Sequence, residues 1–555
     1  MIQTVLMRRI TTVAIGVLLF CAGAIQLQAA TITVTNTNDS GPNSLRQALA
    51  NANDGDTINF AVTGTIGLTS GELLVERNVT ISGPGAATLT VDGNAMSRVF
   101  HIGLGKTVSI WGLTLTNGST DSENGGGILN DHAILTINSC AVQNSSAQAN
   151  RGGGIYNDGS AGSAALTILN STVSGNYAYS AGGGIYNDAE DGGSATLTII
   201  NSTVDGNSSI HGLPFHGGAG GGVYNDSSGG NAALTIRNSI VHGNYTSSAG
   251  GGIYNDAANG GSATLTIMNS MIDGNGAAYN DIPVGGGEGG GVYNDAGIGT
   301  ITNSVVSNNG AGVNEEFPAG SGGGISNRGT MTIIESTIKN NRVFWIGGGI
   351  ANSGTLTITG STISGNRAEG EHDGQPFGRA GGVAGTVTFI NSTLSDNFAP
   401  LGGGGFEGGG VIKNSTISGN GNGGISTNGI EIGNTILDGN TGANIDGTAT
   451  SLGYNISSDD GGGNLTGPGD QINTAPLIGP LQDNGGPTLT HALLPGSPAI
   501  DAGDPNFIPP PFNDQRGCSF DRVFNGRIDI GSFETQPPHR PCATPRPRPT
   551  PAPRP

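Results

Sequence analysis

A tyrosine and an aspartate recur together in five copies of the segment GGGIYND or GGGVYND. The tyrosines of these copies are Tyr156, Tyr186, Tyr224, Tyr254 and Tyr293. Their rings could stack on sugar rings, or they could stack on each other and fix the register of neighbouring strands. We predict that they form an outward stripe and treat them as candidate ligand-binding residues, with self-stacking as the alternative.

The aspartates of the same copies are Asp158, Asp188, Asp226, Asp256 and Asp295. Like charges at this spacing repel each other, so the side chains must point into solvent, close Asx turns or share cations. Carboxylate oxygens are ligands that Ca²⁺ prefers. Ca²⁺ is therefore the one cofactor expectation that this pattern raises, and the pattern assigns neither a metal ligand nor a catalytic residue.

Four long insertions before the glycine triplets could carry a second kind of chemistry. They cover residues 208–219, 276–288, 310–321 and 367–380. Their imidazoles and carboxylates include His211, His216, Glu315, Glu316, Glu371 and His372. Such groups could bind a ligand or transfer a proton if one corner of the fold brings them together. The alternative is a set of solvated loops that tolerate insertion.

The sequence contains no recognisable catalytic motif. The NTDG, GHG and RIK segments of polygalacturonase-like sites do not occur, nor does a nucleophile-elbow or metalloprotease motif. A pectate-lyase-like site needs a Ca²⁺-binding carboxylate cluster beside a basic residue. Arg151, Arg237, Arg328 and Arg342 are instead scattered among the repeats. The sequence favours a protein without enzymatic activity and leaves an enzyme open.

The elements that must position these residues come from a second repeated unit, LTILNSTVSGN at residues 166–176, and its variants. Apolar and polar residues alternate at its start, Val173 lies in a second short run, and Ile155 marks a third. This pattern predicts three short strands in each repeat. Repeats of about 20–38 residues suit a stacked solenoid. We therefore predict an all-β fold, a right-handed parallel β-helix, over residues 81–440.

An asparagine closes the second half of each repeat and should form a hydrogen-bonded ladder along the stack. The ten predicted members are Asn176, Asn207, Asn244, Asn275, Asn309, Asn341, Asn366, Asn397, Asn420 and Asn440.

The composition agrees with a solenoid, since 102 of the 555 residues are glycine and only 11% are charged. Glycine without a three-residue period excludes collagen, and regularly spaced apolar residues argue against disorder. The formal net charge is −20. This charge argues against a nucleic-acid partner, which requires clustered lysine and arginine.

The N-terminal residues 1–30 are predicted to be a secretory signal peptide, because two arginines precede an apolar run that ends in small residues. An uncleaved membrane anchor and a lipid anchor at Cys21 are the alternatives. Residues 31–80 are predicted to form an N-terminal cap. That cap should contain a short helix over residues 44–53 with Asn43 or Ser44 at its N-cap.

The composition changes after the last repeat, so residues 441–535 are predicted to form a C-terminal module and residues 536–555 a Pro/Arg-rich tail. Cys518 and Cys542 could pair in an oxidising compartment. His491, Asp501 and Arg516 could suggest catalysis in the module, and a structural Asp–Arg pair is the alternative.

Three parts of the sequence resemble known families. The GGGI and VSGN or ISGN repeats are similar to those of chlamydial polymorphic outer membrane proteins, which are surface β-helices linked to adhesion. Residues 481–504, with DQRG at 514–517 and DIGSFE at 529–534, resemble the choice-of-anchor Q module of secreted bacterial β-helix proteins. The N-terminal NSLRQALANAN resembles a segment of bacterial surface proteins. These resemblances imply a secreted or surface protein and imply no chemistry.

We therefore predict a secreted or cell-surface β-helix protein of adhesin-like character that binds a glycan or a surface protein. A polysaccharide lyase or glycoside hydrolase of the same fold is one alternative, and a passive surface or matrix component is another. Nucleic acid is not expected as a partner, and a membrane is expected only in export or anchoring.

Overall fold

A computed structural model describes residues 29–210, 218–278, 287–312 and 320–537. Most of the predicted signal peptide and of the Pro/Arg-rich tail lies outside these ranges. His211, His216, Glu315, Glu316 and Cys542 also lie outside the described residues. In the described part of the chain, no helix is both long and apolar enough to cross a membrane.

One coil of the fold shows how the repeat builds its strands. It contains Ile155–Asp158, Ser163–Leu169, Thr172–Ser174 and Tyr177–Ala178. Each strand pairs in parallel with the equivalent strand of the next coil, so that Ile155 lies beside Ile185. The prediction of a parallel β-helix is thereby confirmed. The prediction of three strands per coil is wrong, because the residues after Asn176 form a fourth, two-residue strand.

The strands stack into four parallel ladders that we name by their order in the coil. The first ladder comprises Leu73–Val75, Phe100–Ile102, Ile128–Asp131, Ile155–Asp158, Ile185–Asp188, Val223–Asp226, Ile253–Asp256, Val292–Asp295, Ile325–Asn327, Ile350–Asn352, Val383–Gly385, Phe406–Glu407, Ile425–Gly433 and Ile445–Gly453. The second ladder comprises Thr31–Val34, Thr57–Phe60, Thr80–Ser82, Thr107–Trp111, Ile134–Asn138, Ser163–Leu169, Ser194–Ile200, Asn231–Arg237, Ser262–Met268, Ile298–Thr302, Thr330–Ile334, Thr355–Thr359, Val387–Ile390 and Gly410–Lys413, and it also ends on Ile425–Gly433.

The third ladder runs through almost the whole rod, and the fourth is confined to its middle. The third comprises Gly64–Gly67, Leu89–Asp92, Thr114–Thr116, Ala141–Gln143, Thr172–Ser174, Thr203–Asp205, Ile240–His242, Met271–Asp273, Val305–Ser307, Thr337–Lys339, Thr362–Ser364, Thr393–Ser395, Thr416–Ser418, Ile436–Asp438 and Ile456–Ser457. The fourth comprises Ser119–Thr120, Ser146–Ala147, Tyr177–Ala178, Ser208–Ser209, Tyr245–Thr246, Gly276–Ala277, Gly310–Ala311, Arg342–Val343 and Arg367–Ala368.

Inward side chains fill a single narrow core. Ile155, Leu166 and Val173 are almost fully buried, as are their counterparts in later coils. One apolar cluster extends from Val34 to Leu465. Burying each such side chain contributes about 1.5–3 kcal/mol, so repetition of small increments stabilises the rod.

Asparagine ladders close the core at two positions. The ten predicted asparagines form one ladder, in which the first nine donate from Nδ2 to the Oδ1 of the next coil, as between Asn176 and Asn207 at 2.9 Å, and this prediction is confirmed. A second buried ladder was not predicted. Its members are Asn130, Asn157, Asn187, Asn225, Asn255, Asn294, Asn327 and Asn352.

The glycine triplet is required by close packing at the start of the first ladder. Gly152 has φ of +69°, a left-handed conformation that favours glycine. A Cβ atom on Gly153 would lie 2.1 Å from the carbonyl oxygen of Tyr177. The triplet is therefore a requirement of the scaffold, because any side chain there would collide with backbone of an adjacent segment.

The N-terminal end carries the predicted helix, which spans Leu45–Asn51. Ser44 is its N-cap and accepts a hydrogen bond from the backbone N–H of Gln47 at 3.2 Å. Leu45, Ala48 and Leu49 are buried in the same core as the strands. The predicted helix and its serine cap are confirmed.

The C-terminal segment turns back and packs on the outer side of the third ladder. Ile478–Gln482 and Thr490–Leu493 form an antiparallel hairpin within it. Gln515 is fully buried, donates to Thr362 Oγ1 at 2.9 Å and accepts from Thr393 Oγ1 at 2.6 Å. These contacts join residues more than 120 positions apart, so they fix the segment to the rod.

Arg516 forms a buried structural pair with an aspartate in this segment, but the partner is Asp514 and not the predicted Asp501. The Arg516 guanidinium donates to Asp514 Oδ2 and lies between the rings of Phe520 and Phe533, at 3.6 and 3.7 Å from their centroids. His491 is buried and lies 3.1 Å from Ser395 Oγ. Cys518 is disulfide-bonded, and Cys140 is a buried free thiol.

Candidate functional site

The five tyrosines stand in register on the first ladder and form a continuous column. Successive ring centroids are 5.3, 4.9, 4.6 and 4.6 Å apart from Tyr156 to Tyr293. The first three contacts are stacked and the last is edge-to-face. Because most ring faces in the column already contact another tyrosine, the self-stacking alternative describes the observed arrangement.

Four of the five tyrosine hydroxyls donate to the aspartate of the following coil. Tyr156 donates to Asp188, and Tyr186 donates to Asp226. The same contact joins Tyr224 to Asp256 at 2.6 Å and Tyr254 to Asp295 at 3.2 Å. The column therefore links neighbouring coils through side chains as well as through backbone.

The second carboxylate oxygen of these aspartates closes an Asx turn. Asp188 Oδ1 accepts from the backbone N–H of Glu190 at 2.8 Å, and Asp256 Oδ1 accepts from that of Ala258 at 2.9 Å. Burial raises the pKa of Asp188 and that of Asp256 above the usual range. Hydroxyl and amide donors thus compensate carboxylates that burial disfavours.

Arginine–glutamate pairs close both ends of the column. The Arg151 guanidinium lies 5.0 Å from the ring centroid of Tyr186 and donates to Glu190 at 2.7 Å. The Arg328 guanidinium lies 5.3 Å from the ring centroid of Tyr293 and donates to Glu288 at 2.8 Å. Cation–π contacts of this kind contribute about 0.5–2 kcal/mol each. They lie against Tyr186, the second ring of the column, and Tyr293, its last ring.

The predicted stripe does face outward, but three of its five tyrosines are buried and are not accessible to a ligand. Tyr156, Tyr186 and Tyr293 retain only 3%, 1% and 3% of their accessible surface, and Tyr224 and Tyr254 are partly buried. The rings point away from the core, as strand alternation requires, but neighbouring rings and Arg–Glu pairs cover them. A sugar ring would have to displace these contacts before it could stack.

The insertion at 367–380 is the one of the four that lies wholly within the described residues. Its tip is a small antiparallel hairpin of Glu371–His372 and Gln375–Pro376, in which Glu371 is exposed. The insertion begins after the fourth-ladder strand Arg367–Ala368, which pairs with Arg342–Val343. This pairing places it beside the short loop of the preceding coil.

That neighbouring loop presents Trp345, which is 46% exposed. The Trp345 carbonyl accepts from the backbone N–H of Arg379 at 2.7 Å, so the insertion holds the loop in place. The ring of Phe344 lies 6.5 Å from that of Phe377. Both phenylalanines are half-buried, Phe344 next to the exposed Trp345 in the loop and Phe377 in the insertion.

Charged side chains lie on the two fourth-ladder strands next to this loop. Glu369 lies between two arginines, 2.6 Å from Arg367 Nη1 and 3.4 Å from Arg342 Nε. The arginine side chains are 53% and 64% exposed, so most of their donors face solvent. We call this surface the Trp345 corner, and its residues are Arg342, Phe344, Trp345, Arg367, Glu369 and Phe377.

Sequence reasoning selected the insertion but missed the indole. Trp345 lies in a short loop, and the sequence-based prediction considered only the long loops on either side as binding candidates. A usable signal was present, because the equivalent short loops of two other coils hold Ser180 and Ser248 at the position of Trp345. Of the predicted loop residues, Glu371 lies on the neighbouring hairpin and the backbone of His372 follows it.

Among the described residues, three groups of acidic and imidazole side chains lie close enough to offer metal ligands. They are Asp131, His132 and Asp158; Asp188, Glu190 and Asp226; and Asp501, Asp529 and Glu534. In the first group, His132 already contacts Asp131 Oδ1 through Nδ1 and the Ser160 carbonyl through Nε2. In the second, tyrosine hydroxyls and turn amides occupy the aspartate oxygens. Ca²⁺ binding to the aspartate row stays a prediction.

Comparison with known proteins finds one structural likeness of interest. No known protein family matches the chain, and no curated protein matches it. The crystal structure of the pectate lyase Pel9A is similar over 92% of this chain and 98% of that chain, with 14% sequence identity and a TM-score of 0.26. The assignment as a parallel β-helix therefore rests on the strand pairing of this chain itself.

Proposed function

We propose that this chain is a secreted or surface-displayed β-helix that binds a glycan or protein ligand through the Trp345 corner. The observation that carries the proposal is an indole 46% exposed beside two largely exposed arginines on a rigid coil. Tryptophan and arginine are the residues most enriched among those that dominate binding energy.

The chemistry of the corner suits a sugar-containing ligand. An indole face can cover the apolar side of a sugar ring, and a guanidinium can donate two parallel hydrogen bonds to a carboxylate. Glu369 orients both arginines without burying them. A glycan with carboxylate groups would thus find a stacking platform and two oriented donors within one corner.

Glycan-array binding by the mature protein tests this proposal. The variant Trp345→Ala should weaken binding at least tenfold, because it removes the stacking platform. Trp111→Ala is the matched control, since Trp111 is 44% exposed at a distant coil. Equal binding by both variants, or no binding on glycan and host-protein arrays, would contradict the proposal. New unsaturated ends on acidic polysaccharides would instead identify a lyase.

The same proposal includes export and attachment. Residues 1–30 would direct secretion, residues 441–535 would act as the choice-of-anchor Q-like module, and residues 536–555 would lead to the anchoring point. Cell fractionation with an internal epitope tag tests this part. Recovery of the mature protein from the cytoplasm alone would contradict it.

A further inference from the structure

The outer face of the second ladder carries a straight column of threonines. Nine consecutive coils place a threonine at the same register position: Thr136, Thr167, Thr198, Thr235, Thr266, Thr300, Thr332, Thr357 and Thr388. All nine are half-buried by their neighbours and alternate with fully buried core residues. We call this column and its flanking outward residues the threonine face.

The flanking columns keep the face flat and almost uncharged. On one side lie Ile134, Ala165, Thr196, Ala233, Thr264, Ile298, Thr330 and Thr355. On the other lie Asn138, Leu169, Ile200, Arg237, Met268, Thr302, Ile334, Thr359 and Ile390. Only Arg237 carries a charge, in a chain whose formal net charge is −20.

The hydroxyls of the central column are available to a partner. Among the described residues, none of the nine donates to or accepts from another protein group through its side chain. The third ladder shows the contrast, because Thr362 and Thr393 make hydrogen bonds to the C-terminal segment that covers them. The threonine face is the equivalent surface without such a cover in the described part of the chain.

The spacing of this array is set by the fold. Neighbouring strands lie about 4.8 Å apart, and alternate residues of one strand lie about 6.6 Å apart. Hydroxyl and methyl groups therefore repeat in every coil along the central column, and five of the nine coils add a second threonine in a flanking column, so the grid is complete along the column and partial across it. A preformed grid loses little conformational entropy on binding.

Charge indicates what kind of partner fits. An acidic protein surface would need basic residues here, and a second copy would bring its own acidic charge. An ordered lattice of water molecules is uncharged and offers donors and acceptors at regular intervals. We propose that the threonine face binds the surface of ice crystals, with hydroxyls hydrogen-bonding to lattice water and methyl groups filling its gaps.

Ice-affinity partitioning of the full-length mature protein, with thermal hysteresis measured on the same sample, tests the proposal. The wild type should concentrate in a slowly grown ice hemisphere. The double variant T167K/T198K places two charges on the face and should reduce incorporation at least tenfold. The matched control T172K/T203K makes the same change in the same two coils on the third ladder, and it should behave like the wild type.

Each outcome decides for or against the proposal. Circular dichroism checks that both double variants fold, and the single variants T198K and T203K repeat the comparison if either double variant does not. Exclusion of the wild type from ice would overturn the proposal. Equal effects of the two substitutions, or retention by crystalline polysaccharide in place of ice, would overturn it as well.

Discussion

At the scale of the residue, the tyrosine column shows how one outward position can become interior. Tyr224 points away from the core, yet its ring stacks at 4.9 and 4.6 Å on the rings before and after it. Its hydroxyl donates a hydrogen bond to Asp256, a carboxylate whose burial raises its pKa. The ring and the carboxylate therefore depend on each other, which an isolated repeat does not reveal.

Removing one hydroxyl of the column should be costly. Tyr224→Phe keeps the stacking but leaves Asp256 Oδ2 without its donor, so we expect a loss of about 1–3 kcal/mol in the free energy of unfolding. Urea denaturation measures this loss. The control is Tyr177→Phe, whose exposed hydroxyl donates to the Ile210 carbonyl and should matter by about 0.5 kcal/mol. Similar losses in both variants would contradict the assigned role.

At the scale of the element, the asparagine ladders join one coil to the next. Asn244 accepts from Asn207 and donates to Val204 O at 3.0 Å and Asn275 Oδ1 at 2.9 Å. The second asparagine ladder, which includes Asn157, could have been predicted, because Asn157 lies two residues after the inward Ile155. Strand alternation places both on the same side, and only its polar character argued against a core position.

A break in the asparagine ladder that runs from Asn176 to Asn440 should destabilise the rod. Asn244→Ala leaves several buried groups without their hydrogen-bond partner at once, so we expect a loss of about 2–4 kcal/mol in the free energy of unfolding. Asn231→Ala is the control, because Asn231 is an exposed residue of a second-ladder strand and should change the value by about 0.5 kcal/mol or less. Hydrogen exchange should locate the lost protection in the coils of Val204 and Asn275. Unchanged protection there would contradict an inter-coil role.

At the scale of the whole molecule, the C-terminal segment covers one side of the rod and brings buried ionisable groups with it. Burial and the neighbouring Asp529 raise the pKa of Glu534 to about 8, while Arg522 opposes the shift. The folded protein therefore holds a proton on Glu534 that the unfolded chain releases near its ordinary value of 4.5. The contribution of this proton to stability is complete below that value and is lost as the pH rises to about 8.

Glu534→Gln should flatten this dependence, because the amide stays neutral at every pH. Between pH 4.5 and pH 8, the wild type should lose more stability than the variant as the pH rises. Urea midpoints measured at both ends of the window give the comparison. Glu431→Gln, at an exposed position of a first-ladder strand, should keep the wild-type slope. If the Glu534→Gln variant lost as much stability between the two pH values as the wild type, the raised pKa of Glu534 would not be the cause of the pH dependence.

The sequence by itself determined the β-helix, the asparagine ladder and the short N-terminal helix. Each depends on local alternation, turn-forming residues and exact repetition, and these act over a few residues or one coil. The tertiary structure decided which outward residues stay exposed. The Tyr156 column is covered by groups from adjacent coils, and Gln515 reaches a ladder more than 120 positions away. The Trp345 side chain is exposed on a loop that a later insertion holds in place. Its exposure therefore depends on contacts that strand periodicity does not encode.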